Sequence, residues 1–142
     1  MIASITVPAL SNRLRMLRTL VKEACTILKC SETCTEDLVL AVDEACQNVI
    51  RHAYGQKGQS DSGQKPAGEM VLTIVHRTGS IVFQLRDFGP TVDPETIKPR
   101  DLDDLRPGGL GCHFIHTIME DVAFLDIGEE KGNILQMIKT IE

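Results

Sequence analysis

A chain of 142 residues, 42% hydrophobic and 25% charged, is long enough to form one soluble domain with its own core. Its formal net charge of −5 argues against a general nucleic-acid-binding protein, because such a protein needs a basic surface to neutralise phosphates. We expect no membrane span and no signal peptide, and the five cysteines, with no CxxC pair, favour reduced thiols in a cytoplasmic protein.

The first third of the chain is predicted to form one strand followed by two helices. Alternating apolar and polar residues predict a strand over 2–7, which Pro8 ends. Apolar residues at helical spacing then predict a first helix of about five turns, capped by Ser11. They also predict a second helix that Thr35 caps and Gly55 closes. The predicted buried stripes are Leu14, Leu17, Val21, Ala24 and Leu28 on the first helix and Leu38, Val42, Ala45 and Val49 on the second.

The remainder of the chain is predicted to hold two hairpins separated by a helix. The Gly-, Gln- and Ser-rich segment 55–68 is expected to be a flexible loop. Thr78-Gly79 is a hairpin signal, and 90–107 is a long connection of the kind that is either disordered or functional. The predicted elements are strands over 70–77, 80–86, 122–127 and 134–141 and a helix over 110–119.

The element order is therefore β-α-α-β-β-α-β-β within a single domain, residues 1–142. Consecutive hairpins imply a mostly antiparallel sheet. The three helices must bury their apolar stripes, and one face of the sheet is their partner. We expect an α/β (α+β) two-layer sandwich with the three helices on one face.

The second predicted helix carries an acid and an amide one turn apart, Glu44 and Asn48. Residues four apart project on the same side of a helix, here directly beside the stripe that contains Ala45 and Val49. A carboxylate can take a proton, and an amide oxygen can hold a hard cation such as Mg²⁺. The alternative is that both are ordinary solvated helix residues, which is common for a pair at this spacing.

A second candidate is Asp87-Phe88-Gly89-Pro90, directly after a strand pattern. An acid at the end of a buried strand can accept a hydrogen bond in a pocket, and a glycine lets a flat ligand approach the backbone. A simple turn is the alternative, since Asp, Gly and Pro all favour turns. Asp-Phe-Gly does not indicate the eukaryotic-type protein kinase fold, because the glycine-rich strand loop, strand lysine and His-Arg-Asp loop are absent.

The third candidate is Arg106-Pro107-Gly108-Gly109-Leu110-Gly111, which opens the predicted third helix. Glycines leave backbone N–H groups open to a ligand, and a helix N-terminus adds partial positive charge, so the segment suits phosphates. The alternative is a flexible hinge before a helix. The segment is not a Walker A loop, because the Gly-Lys-Ser/Thr ending is missing.

Taken in order, these motifs resemble the GHKL (Bergerat-fold) ATPase and kinase superfamily, and within it the bacterial anti-sigma-factor serine kinases. The segment 44–54, Glu-Ala-Cys-Gln-Asn-Val-Ile-Arg-His-Ala-Tyr, is similar to the N-box of that family. Asp87-Phe88-Gly89 is similar to its G1 box, and 108–111, with the helix that follows, to its G2 box. The closing strand 134–139 also fits, so the resemblance covers nearly the whole chain.

The resemblance implies a role for each motif residue. Asn48 would hold Mg²⁺ through its side-chain oxygen, and Glu44 would be the catalytic group that accepts the proton of the incoming hydroxyl. Asp87 would accept a hydrogen bond from the adenine amino group, with Gly89 under the ring.

For the glycine-rich segment the resemblance implies a phosphate site under an ATP lid. The lid would be 90–108, closing over the nucleotide. Gly109 and Gly111 would contact phosphates through backbone N–H groups. The residues implied to bind the cofactor here are Arg106, Gly108, Gly109, Leu110 and Gly111.

The function that the resemblance implies is a Mg-ATP-dependent serine/threonine-protein kinase that phosphorylates a serine of a small STAS-type anti-sigma-factor antagonist and otherwise sequesters a sigma factor. A homodimer without direct nucleic-acid or membrane contact is also implied. An alternative is a non-catalytic ATP-binding switch module that binds protein partners. A third interpretation is a redox or metal protein that uses its cysteines, although Cys30 and Cys34 lack two further zinc ligands at matching spacing.

Overall fold

The computed structural model describes residues 1–53, 68–91 and 109–141. Helix α1 follows a short 3₁₀ turn, and helix α2 continues directly into a π-helical turn at Val49–Ala53. The elements, in chain order, are β1 Ala3–Pro8, α1 Leu14–Ile27, α2 Glu32–Asn48, β2 Glu69–Arg77, β3 Ser80–Asp87, α3 Gly109–Ile118, β4 Asp121–Phe124 and β5 Asn133–Thr140.

The five strands form one sheet in the order β1-β2-β3-β5-β4, and every neighbouring pair is antiparallel. The hairpin of β2 and β3 turns at Thr78-Gly79, where Gly79 has φ 75°, a value that glycine adopts without steric cost. Because β5 inserts between β3 and β4, the start of β5 lies opposite the end of β3. The predicted α+β fold with a mostly antiparallel sheet is confirmed.

The core lies between the helices and one face of the sheet. Alternate residues of β2 and β3 are fully buried against helix residues in a single cluster, which Met137 of β5 joins and against which Leu135 packs. Helix α1 packs against α2 and β2, and α2 packs against α3 and β3. The core members that belong to the sheet are Val7, Met70, Leu72, Ile74, Ile81, Phe83, Leu85 and Met137.

The helix starts differ from those that the sequence predicts. Ser11 lies in the 3₁₀ turn rather than at an N-cap, and α1 is 14 residues long, about four turns. Helix α2 is capped by Ser31, whose side-chain oxygen accepts a hydrogen bond from the Cys34 N–H at 3.0 Å. The prediction that Thr35 caps this helix is therefore wrong. Thr35 lies one turn inside the helix, and its hydroxyl donates to the Ser31 carbonyl at 2.8 Å.

The later predictions agree with the structure to within a few residues. Both hairpins and the third helix are present, and β4 is shorter than its predicted range. Gly55, most of the predicted loop 55–68 and most of the predicted lid 90–108 lie outside the described residues. Within the described ranges, none of the helices combines the length and apolar character that a membrane crossing requires.

Candidate functional site

The acid–amide pair lies on the last turns of α2, at the edge of the core. Glu44 and Asn48 are both half-buried, and their neighbour Ala45 is fully buried in the cluster that joins α2 to the sheet. Directly after Asn48 the helix widens into the π-helical turn Val49–Ala53. Such single-turn bulges occur frequently at functional sites. The predicted placement of the pair beside the buried stripe is confirmed.

Burial raises the pKa of the Glu44 carboxyl above its ordinary value. The positive charge of Arg51 lowers that pKa and the neighbouring Asp43 raises it, but the loss of hydration is the largest cause. A carboxylate with raised proton affinity is a better proton acceptor than a fully solvated one. The environment of Glu44 thus suits a general base.

The adjacent acid, Asp43, is engaged in structural contacts. Its Oδ1 accepts a hydrogen bond from Arg18 of α1 at 2.9 Å, and its Oδ2 accepts one from Gln47 at 2.7 Å. Both carboxylate oxygens are therefore occupied in joining α2 to α1 and to its own next turn.

Asn48 has the oxygen that a metal ion would need, but a cationic side chain contacts it. The Asn48 Oδ1 accepts a hydrogen bond from Arg51 Nη2 at 2.7 Å, and Arg51 Nη1 donates to Gln47 Oε1 at 3.3 Å. The Arg51 Nε is buried and has no hydrogen-bond partner among the described residues. A hard oxygen on a half-buried helix end fits Mg²⁺, which takes one or two protein oxygens together with phosphates. A cation at this oxygen would lie close to the guanidinium of Arg51, which donates to the same oxygen.

Asp87 is the last residue of β3 and is only 5% exposed. Its Oδ1 accepts two hydrogen bonds, from the Gly89 N–H at 3.0 Å and from Asn133 Nδ2 at 3.0 Å. Its Oδ2 accepts none from any residue within the described ranges. The hydrogen bond from the Gly89 N–H closes a turn, which is the alternative interpretation of this motif. The same hydrogen bond holds the Asp87 carboxylate in place.

Asn133 is a site residue that sequence reasoning missed. It lies directly opposite Asp87 in the β3–β5 register, is 5% exposed, and donates also to the Pro90 carbonyl at 2.9 Å. It thereby joins the start of β5 to both the acid and the chain that follows it. The preceding Gly132 has φ 103°, and a Cβ there would overlap the Asp87 carbonyl oxygen. The Gly-Asn pair at the start of the last strand was the signal available in the sequence.

The glycine-rich segment opens α3, as predicted, and the helix begins at Gly109. Gly109, Leu110 and Gly111 lie in the first turn, where backbone N–H groups lack partners within the helix. Arg106 and Gly108 lie outside the described residues. Because α2 packs against both α3 and β3, the helix with the acid–amide pair contacts the two elements that carry the other motifs.

A model of the "Histidine kinase-like ATPase domain" family matches residues 7–139. The chain belongs to this family. The match covers nearly all of the described strands and helices, including the three motifs. It confirms the predicted superfamily and implies that the chain uses ATP.

Curated relatives carry a kinase name. The chain is 32% identical over 138 residues to the serine-protein kinase RsbW of Halalkalibacterium halodurans, which covers 96% of this chain and 82% of that protein. It is 34% identical over 95 residues to the serine-protein kinase RsbW of Bacillus pumilus, covering 61% of this chain and 55% of that protein. The resemblance to bacterial serine kinases of this type is confirmed.

Solved structures support the fold. The SiaB–SiaC complex from Pseudomonas aeruginosa contains a chain that superposes with a TM-score of 0.69 at 14% identity, covering 96% of this chain and 88% of that one. A structure of the RsbU and RsbW domains of a Mycobacterium tuberculosis protein superposes with a TM-score of 0.65 at 14% identity, covering 98% of this chain and 31% of that one.

Proposed function

We propose that the chain is a Mg-ATP-dependent protein serine kinase that phosphorylates a small STAS-type antagonist protein and, in its other state, binds a sigma factor. The observation that carries the proposal is the buried carboxylate of Asp87, which the described residues hold through one of its two oxygens. Such a carboxylate is a fixed hydrogen-bond acceptor in a region of low dielectric, where a hydrogen bond to a charged group is stronger than in water.

In this proposal Asp87 recognises the adenine ring. Its Oδ2 accepts a hydrogen bond from the exocyclic amino group of adenine. Hydrogen bonds from the Gly89 N–H and from Asn133 Nδ2 hold Oδ1 in place. The backbone N–H groups of Gly109, Leu110 and Gly111, at the start of α3, receive the phosphates. Arg106 and Gly108, in the preceding segment, contribute to the same anion site, under a lid formed by 90–108.

The reacting end of the nucleotide lies at the end of α2. Asn48 would hold Mg²⁺ through Oδ1, the oxygen that accepts a hydrogen bond from Arg51. The metal, when bound, neutralises phosphate charge during transfer. Glu44 accepts the proton from the serine hydroxyl, and the raised pKa of its carboxyl supports this assignment.

The partners follow from the relatives. The serine-protein kinase name of the relatives supports a serine on a protein as the acceptor. The resemblance to anti-sigma-factor kinases supports the antagonist and the sigma factor as the two binding partners. We place the protein in the cytoplasm as a homodimer, and its described thiols are free.

The test of the proposal is transfer of labelled phosphate from ATP to a small antagonist encoded beside this chain. Glu44→Gln should reduce transfer about 10²- to 10⁴-fold, the usual contribution of a general base, while ATP binding is retained. Glu36→Gln, at an exposed acid on the same helix, is the matched control and should transfer phosphate normally. If the wild type binds ATP and both partners but yields no phosphoserine, the non-catalytic switch module is the correct account.

A further inference from the structure

Arg86 directly precedes Asp87 in β3 but lies on the opposite face of the sheet. Successive residues of a strand point to opposite faces, and Asp87 is on the same face as Leu85, a member of the core cluster. The Arg86 side chain therefore lies on the outer face, away from the helices. It is only 18% exposed there, so most of a charged side chain is removed from water and needs partners.

The guanidinium of Arg86 contacts two separate parts of the chain. Its Cζ lies 4.8 Å from the centroid of the Phe88 ring, within the range of a cation–π interaction. Its Nη2 donates a hydrogen bond to the Lys131 carbonyl at 2.9 Å. The Glu130 carboxylate lies 3.7 Å from the same nitrogen but is largely exposed, so this ion pair adds little. Arg86 thus joins the residue after Asp87 to the turn before β5.

These contacts lie where the β3–β5 ladder ends. Asp87 and Asn133 are the last residues that pair at this end of the two strands. Beyond them the chains remain close, since a Cβ on Gly132 would lie 2.9 Å from the Phe88 Cα. Asn133 holds Asp87 from the face that packs on the helices, and Arg86 holds the two chains from the outer face.

Phe88 connects this outer contact to the Asp87 carboxylate. The Gly89 N–H is one of the two donors to Asp87 Oδ1, and Phe88 is the residue between them. The position of Phe88 therefore affects the direction of that N–H. Arginine suits the place of Arg86, because a planar guanidinium can stack on a ring and donate hydrogen bonds in its own plane.

We propose that Arg86 is a positioning residue for nucleobase recognition, which holds Phe88 and the turn 130–132 so that Asp87 Oδ2 is directed at the adenine amino group. The inference rests on the proposed role of Asp87 in binding ATP. Arg86 acts through its contacts with Phe88 and Lys131, because it lies on the face of the sheet opposite to the Asp87 carboxylate.

The experiment titrates the full chain calorimetrically with ATP and with purine riboside triphosphate, which lacks the 6-amino group of adenine. Arg86→Ala should weaken ATP binding about tenfold and change binding of the analogue by less than about twofold, because only the amino group contacts Asp87. In an Asp87→Asn background, Arg86→Ala should cause no further loss of ATP affinity, because both residues act through one hydrogen bond.

Arg77→Ala is the matched control. It removes the same charge from an exposed residue at the other end of the β2–β3 hairpin, and it should bind both nucleotides as the wild type does. Arg86→Lys keeps the charge without the planar guanidinium, so it should recover only part of the ATP affinity. It also carries the same comparison of nucleotides if Arg86→Ala does not fold.

Three results would overturn the inference. The first is unchanged ATP affinity in Arg86→Ala, and the second is an equal loss of affinity for ATP and for the analogue, which indicates general damage to the fold. The third is full recovery in Arg86→Lys, which shows that charge alone is sufficient. Failure of the proposed function gives a different result, because the wild type would then bind ATP and the analogue equally and Asp87 would not recognise adenine.

Discussion

Asp43 and Glu44 are neighbours of similar chemistry, and their environments give them different roles. Asp43 faces α1 and binds Arg18 and Gln47 with both oxygens, so it stabilises the packing of two helices. Glu44 points toward the core edge, where burial raises its pKa. The sequence indicated Glu44 through its spacing to Asn48, but the engagement of Asp43 depends on a residue 25 positions away and could not be predicted locally.

The raised pKa of Glu44 predicts a pH-dependent cost to stability. A carboxyl whose folded-state pKa exceeds its unfolded value binds more protons in the native state, so stability falls as pH rises from the unfolded pKa through the folded one. Glu44→Gln removes the charge and should raise Tm above that window, with no gain below it. Thermal unfolding across pH measures this, with exposed Glu36→Gln as control. A lower Tm for Glu44→Gln at neutral pH would contradict the assignment.

Asn133 predicts a second effect at the residue scale. Asn133→Ala removes the donor to Asp87 Oδ1 and to the Pro90 carbonyl, so the free energy of unfolding should fall by about 1–3 kcal/mol. The affinity for ATP should fall as well, because Asp87 loses its orientation.

The matched control for Asn133 is Gln136→Ala on the same strand. Gln136 Oε1 accepts a hydrogen bond from Gln84 Nε2 at 2.8 Å, on the face of the sheet opposite to Asn133. Loss of this bond should lower the free energy of unfolding but leave ATP affinity unchanged. Calorimetric titration with ATP separates the two variants. Equal affinity in Asn133→Ala and the wild type would show that Asn133 does not position Asp87.

At the scale of elements, apolar periodicity predicted which segments form helices and strands. It did not predict the residues at which the helices begin. Ser11 and Ser31 are both candidate caps by residue type, yet only Ser31 bonds an N–H of its helix. A serine caps the start of a helix only where its own backbone is extended, as at Ser31 with ψ 162°. Residue type alone does not specify that conformation, so it favours Thr35 as readily as Ser31.

The turn between β4 and β5 makes a prediction of its own, because two glycines in it have positive φ for different reasons. Gly132 has φ 103°, and a side chain there would also overlap the backbone of Asp87 and Phe88. Gly132→Ala should destabilise the fold by about 2 kcal/mol or more and lower ATP affinity.

Gly128→Ala is the control for the turn. Gly128 has φ 68°, and no atom of the described residues lies within 4 Å of a Cβ placed there, so only the backbone cost of about 1–2 kcal/mol applies and ATP affinity should be unchanged. Chemical denaturation and ATP titration of both variants measure the difference. Equal loss of stability and equal ATP affinity in the two variants would show that the close approach of Gly132 to Asp87 is unimportant.

For the whole molecule, the α+β class and the antiparallel hairpins could be predicted from element order, and the site motifs from their sequence. The strand order could not, because the insertion of β5 between β3 and β4 is a long-range pairing. That pairing brings Asn133 opposite Asp87 and Gly132 against its carbonyl. The contact of Arg51 with Asn48 was missed for a different reason, because it depends on side-chain conformation at a π-helical turn.

The most direct measurement for the account is calorimetric titration of the wild type and Asp87→Asn with ATP and with GTP. Adenine offers an amino group where guanine offers a carbonyl oxygen, so the wild type should prefer ATP. Asp87→Asn should weaken ATP binding about 10- to 100-fold, the usual contribution of a hydrogen bond to a charged group. It should also reduce the preference for ATP over GTP. Asp121→Asn, at an exposed acid on β4, should bind as the wild type does. Unchanged ATP affinity in Asp87→Asn, or equal affinity of the wild type for both nucleotides, would contradict the assignment of Asp87 to the nucleobase.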